Sequence, residues 1–255
     1  MNLQLDAAGG QVRSALRKLF VATTAVGLLI LILYWALLAF VPVPGFGLGR
    51  LDSAGSLPTY LDRRILGISH LWPYGLTPGY GVTYDPEGIL STLPATASVL
   101  IGALCGLWLK LRPSSSQRVV GLAAAGALLI IAGIAMQSLI PIAKKIWTDS
   151  FVLFSGGFAV VVFTMAYWLS DIRGFKTWRY PLRVFGANAI LAFVLSQVIG
   201  AYSDHPFGLR AAGFAAFHAV IRDAKVASLV YAVANSVVIF AVLSSPYNRR
   251  IFLRV

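Results

Sequence analysis

The run FVATTAVGLLILILYWALLAFV, residues 20–41, decides the fold. It holds no charged side chain across a length that matches the hydrocarbon core of a bilayer, for which about 20 apolar helical residues suffice. A backbone in lipid has no water to bond to, so such a run must satisfy its own hydrogen bonds as a helix. It ends at Val41-Pro42-Val43-Pro44 and has no small-residue cleavage site, so it reads as a span rather than a cleaved h-region.

Five further runs have the same character: Thr92–Leu109, Val119–Ile140, Phe151–Ser170, Val184–Tyr202 and Val226–Ser244. None contains a charge. The expected fold class is therefore all-α, a polytopic transmembrane helix bundle with about six spans. The composition agrees: 58% of the 255 residues are hydrophobic and 12% charged, against about 25% charged in soluble domains. Residues 1–19 read as a short cytoplasmic lead and 20–255 as one membrane domain, its spans being 20–41, 92–109, 119–140, 151–170, 184–202 and 226–244.

The net charge of +12 is distributed over short loops rather than on one soluble face, which argues against nucleic acid and for membrane orientation. With the N-terminus inside, the inner segments 1–19, 110–118, 171–183 and 245–255 carry 13 Lys/Arg in 52 residues. The outer segments 42–91, 141–150 and 203–225 carry 8 in 83. The expected topology is N-in, C-in, in a plasma (inner) membrane. The lone Cys105 lies within the second span and reads as a packing residue, and Gly102…Gly106 is a weak signal for close helix contact. The connection 203–225 reads as an amphipathic surface helix.

Three constellations carry polar chemistry. Tyr84-Asp85-Pro86-Glu87-Gly88 precedes the second span. Asp85 and Pro86 suit a helix N-terminus, with Glu87 near the positive end of the dipole; the functional alternative is a carboxylate facing a pocket. Pro94, about two turns on, suggests a kink. Pro141 through Phe151 joins the third and fourth spans, with Thr148, Asp149 and Ser150 as candidate caps. Trp147 is there an interface anchor, or else Lys144 and Trp147 form a binding edge. Asn188 lies early in the fifth span, where it suits an interhelical hydrogen bond, close to Arg179 and Arg183. Those arginines are topology determinants or anchors for a phosphate-bearing ligand. His70, His205 and His218 make no metal motif. There is no GxSxG, no Walker loop and no dinucleotide fingerprint.

In this order, Tyr60-Leu61-Asp62-Arg63, His70-Leu71-Trp72, Tyr84–Leu90, Pro141–Phe151, Gly186–Ile190 and the ending Arg249–Val255 resemble the heparan-α-glucosaminide N-acetyltransferase family and its bacterial relatives. The resemblance runs from about Leu19 to the C-terminus. It implies transfer of an acetyl group from cytoplasmic acetyl-CoA, as donor substrate and without a metal, to an amino sugar or glycan across the membrane. On that resemblance Asp85, Glu87, Lys144, Trp147 and Thr148 are the substrate-side candidates, and Asn188, Arg179 and Arg183 the acetyl-CoA-side candidates. Two departures stand out. The family's proposed catalytic histidine belongs to an N-terminal portion that this chain lacks, and His70 is not that histidine. Ala143 also stands where the family's Pro-x-Asn-Lys has Asn. The chain is thus expected to be the C-terminal part of an acyltransferase, inactive alone, with membrane lipid and a missing N-terminal half or a second copy as partners. A transporter or non-catalytic scaffold is the alternative, with Gln137, Asn188 and Asn235 lining a path.

Overall fold

The apolar runs become helices in a computed structural model that describes residues 2–175, 178–204 and 208–253. Five helices are long and apolar enough to cross a membrane, and a bent pair makes a sixth crossing if its two arms form one span. Much of their apolar surface is exposed, Leu29 and Leu128 by about two thirds, as expected where lipid is the solvent. The protein is an integral membrane protein. The chain divides into two units, Met1–Ile172 and Arg173–Val255.

In the first unit, α1 (Asn2–Phe40) begins well before the apolar run, so the polar lead is a helical extension of the first span. Next come a short helix α2 (Leu57–Ile65) and a two-residue hairpin, β1 (Leu76–Thr77) with antiparallel β2 (Gly81–Val82). Three spans follow: α3 (Thr92–Leu111), α4 (Ser115–Met136) and α5 (Asp149–Tyr167). A π-turn, Trp168–Ile172, extends α5. Helix α1 packs on α3, and α4 on α5.

Glycines set the α4–α5 approach. A Cβ at Gly157 would lie 2.7 Å from the Gly126 carbonyl oxygen, and one at Gly133 would lie 2.6 Å from the Phe154 nitrogen. Small residues let membrane helices meet backbone to backbone. The expected Gly102…Gly106 contact does not form, because a Cβ at either would meet nothing within 4 Å. Those two glycines face open space beside Cys105 and Phe163.

Helix α3 starts at Thr92, seven residues after Asp85, which corrects the reading of Asp85 as its cap. Pro94 consequently falls in the first turn, where its missing N–H removes no helical hydrogen bond, so it does not produce the expected kink. Ser114 caps α4, its hydroxyl accepting from the Gln117 N–H.

The second unit holds α6 (Arg179–Ala187), α7 (Ala189–Asp204), α8 (Leu209–Ile221) and α9 (Ala224–Asn248). The fifth span, expected as one straight run over 184–202, breaks at Asn188, and the two arms are bent by 85°. Asn188 has φ −130° and ψ 47°, outside the helical region. Val184, Ile239 and Leu243 form the core between α6 and α9. Asp223 caps α9, accepting from the Lys225 and Val226 N–H groups. The 203–225 connection contains α8, against which Tyr231 packs at Gly213 and Phe217.

Candidate functional site

The long 42–91 connection is ordered by its own charges. Asp52 accepts from the Ala54 and Gly55 N–H groups and from Arg50 Nε at 2.6 Å. The Arg50 hydrogen bond leads in holding its carboxyl down at about 2. Asp62 of α2 is 1% exposed and accepts from the Ile89 N–H at 2.9 Å. Gly88 is pressed so closely on that carboxylate that a Cβ would meet Oδ2 at 1.9 Å. Burial pushes the Asp62 carboxyl up, opposed by the Ile89 hydrogen bond. Arg63 donates to the carbonyls of Ala54 and Thr83 and lies 5.9 Å over the Phe46 ring. The Tyr60–Arg63 motif thus stitches the loop to the segment leading into α3.

Asp85 has the same role one step on. One carboxylate oxygen accepts from the Trp72 N–H at 3.0 Å and the other from the Glu87 N–H at 2.9 Å. Glu87 itself is exposed. The ring of Tyr84 is buried beside Trp72, with centroids 6.1 Å apart.

The second candidate segment reaches this one. Lys145 Nζ lies 4.9 Å over the Tyr84 ring, a cation–π contact between the 141–151 loop and the 84–90 motif. Lys144 is exposed next to it in sequence. Trp147 takes the left-handed conformation (φ 51°), donates from Nε1 to Ser98 Oγ on α3 at 3.2 Å, and meets Phe151 edge to face. Thr148 is fully buried; its hydroxyl donates to the Pro141 carbonyl at 2.8 Å and accepts from the Ala143 N–H at 3.0 Å. Position 148 therefore holds the loop together from inside. Tyr34 of α1 adds a hydrogen bond to the Ile146 carbonyl. Thus Tyr84 and Lys145 are in contact, with Glu87 and Lys144 exposed nearby in sequence. Asp85 and Thr148 are engaged with backbone.

In sequence, Asp149 reads as one of three candidate caps beside Thr148 and Ser150. It is 1% exposed, and neither carboxylate oxygen has a hydrogen-bond partner among the described residues. It lines a groove with Leu28, Trp35 and Leu153. Only the absence of a local partner distinguishes it, and that appears in three dimensions alone.

In the second unit, Asn188 is fully buried and grips the chain end. Its Nδ2 donates to the Ile251 carbonyl at 3.2 Å, and its Oδ1 accepts from the Leu253 N–H at 3.0 Å. It bonds the C-terminal tail rather than a neighbouring helix. Arg179 and Arg183 lie one turn apart on α6. Arg183 is exposed, while Arg179 Nε is buried without a hydrogen-bond partner among the described residues. Tyr180 between them donates to Asn248 Oδ1 at 3.0 Å. His70 donates from Nδ1 to the Leu66 carbonyl of its own loop, 2.8 Å away. His218 stacks on Phe214 with centroids 5.5 Å apart, and His205 lies outside the described residues.

No family model matches the chain. It is similar to two curated proteins, both heparan-α-glucosaminide N-acetyltransferases. The mouse protein is 29% identical over 192 residues, which cover 67% of this chain and 29% of the relative. The human protein is 29% identical over 208 residues, which cover 72% of this chain and 31% of the relative. The family resemblance read from the motifs is borne out as a partial match. The chain matches less than a third of the length of either relative.

Proposed function

We propose that this chain forms the acceptor-facing loops and the donor-facing arginines of a membrane acetyltransferase. On this reading acetyl-CoA binds at the cytoplasmic face of a plasma (inner) membrane, and the acceptor is an amino sugar or glycan on the far side. The observation that carries the reading is the contact of Lys145 with Tyr84. It joins two segments far apart in sequence, and both belong to the motif series that resembles the acetyltransferases. Glu87 and Lys144, exposed on those segments, are the polar groups available to an acceptor. Trp147 supplies an aromatic wall steadied by Ser98. Asp85 and Thr148 fix the backbone on which that surface is built.

On α6, Arg179 and Arg183 provide two guanidinium groups one turn apart, a spacing suited to the phosphates of acetyl-CoA. The transfer itself draws on residues in the remainder of the relatives' length, and the chain by itself is inactive. The test is acetyl transfer from labelled acetyl-CoA to glucosamine-terminated acceptors in proteoliposomes. The chain is assayed alone and with the complementary portion of a relative. Turnover only in the combined sample, with the acetyl-CoA KM raised about tenfold or more by Arg179→Ala, is expected. Turnover by the chain alone overturns the dependence, and no turnover in any combination overturns the reading.

A further inference from the structure

Phe20 of α1, Trp108 of α3 and Gly121 of α4 meet at one end of an apolar groove of about 580 Å³. The rings of Phe20 and Trp108 have centroids 6.3 Å apart. The indole sits so closely on α4 that a Cβ at Gly121 would meet it at 2.1 Å. From there the groove follows α4 to Leu129, about 12 Å at the rise of a helix, which is most of one leaflet of a ~30 Å hydrocarbon core. Leu128, which lines it, is about two thirds exposed, so the groove opens on the surface that faces lipid.

Each of the three helices carries an arginine one turn beyond this end. Arg17 precedes Phe20 by three residues, and Arg118 precedes Gly121 by three, so both continue the faces that line the groove. Arg112 follows Trp108 by four, and its guanidinium carbon lies 4.1 Å over the indole ring. Arg17 and Arg112 are exposed. Arg118 donates from Nε to the Arg112 carbonyl at 2.7 Å and from Nη1 to the Tyr167 hydroxyl at 3.3 Å. A guanidinium has five N–H donors, so these bonds do not use it up. The cations stand past the apolar wall rather than inside it. At this end α5 carries Asp171, outnumbered by these arginines together with Lys18 and Lys110.

We propose that this groove seats an acyl chain of an anionic phospholipid, with the phosphate head group among Arg17, Arg112 and Arg118. The tail fills an apolar groove one leaflet long and open to lipid. Basic residues beside a span attract anionic head groups, and arginine matches a phosphate with paired hydrogen bonds. A zwitterionic lipid would bring its own cation among the arginines, and a soluble phosphate would leave the groove empty. The site lies within the first unit and stands independently of the acetyl-transfer reading.

Trp108 lines the groove and serves as the reporter. The purified chain in detergent is titrated, at constant ionic strength, with phosphatidylglycerol or phosphatidylcholine bearing the same brominated tails, which quench nearby tryptophan. The anionic lipid is expected to quench at roughly tenfold lower mole fraction. Trp108→Phe should abolish that difference by removing the reporter. Arg17→Gln with Arg112→Gln should bring the two lipids together. Lys18→Gln with Lys110→Gln removes the same charge at the same end but off the groove faces, and should leave the preference intact. Ala125→Phe, which fills the groove without changing charge, should weaken quenching by both lipids. Equal quenching by the two lipids in the unmodified chain overturns the proposal. So does a preference lost equally in the lysine pair, which would reveal a diffuse basic surface, or quenching unchanged in Ala125→Phe. Release of the brominated anionic lipid by inorganic phosphate alone would also refute it, since the tail would then hold nothing.

Discussion

At the scale of single residues, the polar groups of the 42–91 loop act mostly on backbone. Asp62 and Gly88 form the tightest such pair, so they should be energetically coupled. Removing the Asp62 side chain in Asp62→Ala leaves the Ile89 N–H without its partner, at a cost of about 1–3 kcal/mol. Gly88→Ala drives a methyl into the same carboxylate and should cost about as much. The double variant should cost clearly less than the sum, since the first change empties the space the second one fills. Thermal unfolding of the four proteins in one detergent measures this, and strict additivity would refute the contact. Asp52 gives a pH dependence. Its carboxyl is held at about 2, below its ordinary 3.8, chiefly by Arg50. A lowered carboxylate value means stabilisation that is complete above 3.8 and lost as pH falls through about 2. Amide exchange at Ala54 and Gly55 should therefore accelerate over that acid window relative to other loop amides, after correction for the intrinsic pH dependence. Asp52→Asn, which cannot ionise, should show no such step. The contribution is modest because the pair is exposed to solvent screening.

At the scale of elements, glycines decide which helices touch. Gly157→Ala should push α4 and α5 apart, because its Cβ would meet the Gly126 carbonyl and the Ile130 nitrogen at 2.7 Å. A destabilisation of about 1–3 kcal/mol is expected. Gly102→Ala, with nothing within 4 Å, should be neutral or slightly stabilising through helix propensity. Melting temperatures of the two variants separate them, and an equal effect would sink the assignment. The two sites also mark what was legible in the sequence. The spans follow from uninterrupted apolar length, a property of each run alone, so their existence was readable. Which glycine faces a partner depends on how helices are rotated against one another, and a GxxxG spacing at 102–106 does not encode that. The break at Asn188 was hidden for a related reason. An apolar run reads as one helix until a distant segment, here the 251–253 tail, offers the side chain two backbone partners. Among the candidate site residues, the contact of Lys145 with Tyr84 depends on how two distant loops fold against one another, which spacing along the chain does not encode. That Asp85 and Thr148 would bind backbone, and that the Asp149 carboxylate would find no side-chain partner among the described residues, required the folded loop.

At the scale of the molecule, the bent pair α6–α7 sets how many times the chain crosses the bilayer, and through that the side on which the chain ends. As one broken span it gives six crossings, and the two ends of the chain share a side. As a re-entrant hairpin it leaves five, and they are opposed. Helix α8, with 13 residues, is too short to add a crossing. Charge favours six. The segment 171–183, which enters the pair, holds four Lys/Arg, and the ending 245–255 holds three. With six crossings both basic segments face the cytoplasm together with the N-terminal lead, as the positive-inside rule prefers. With five, the three basic residues at the end must lie outside. Tyr84, Lys145, Arg179 and Arg183 all precede the bend, so their sides do not depend on this choice. Reporter fusions at the two termini decide the matter. A fluorescent protein that matures only in the cytoplasm should glow at both ends, and a phosphatase active only outside should be silent at both. Opposite sidedness would make α6–α7 re-entrant and remove the C-terminal basic residues from the cytoplasmic face.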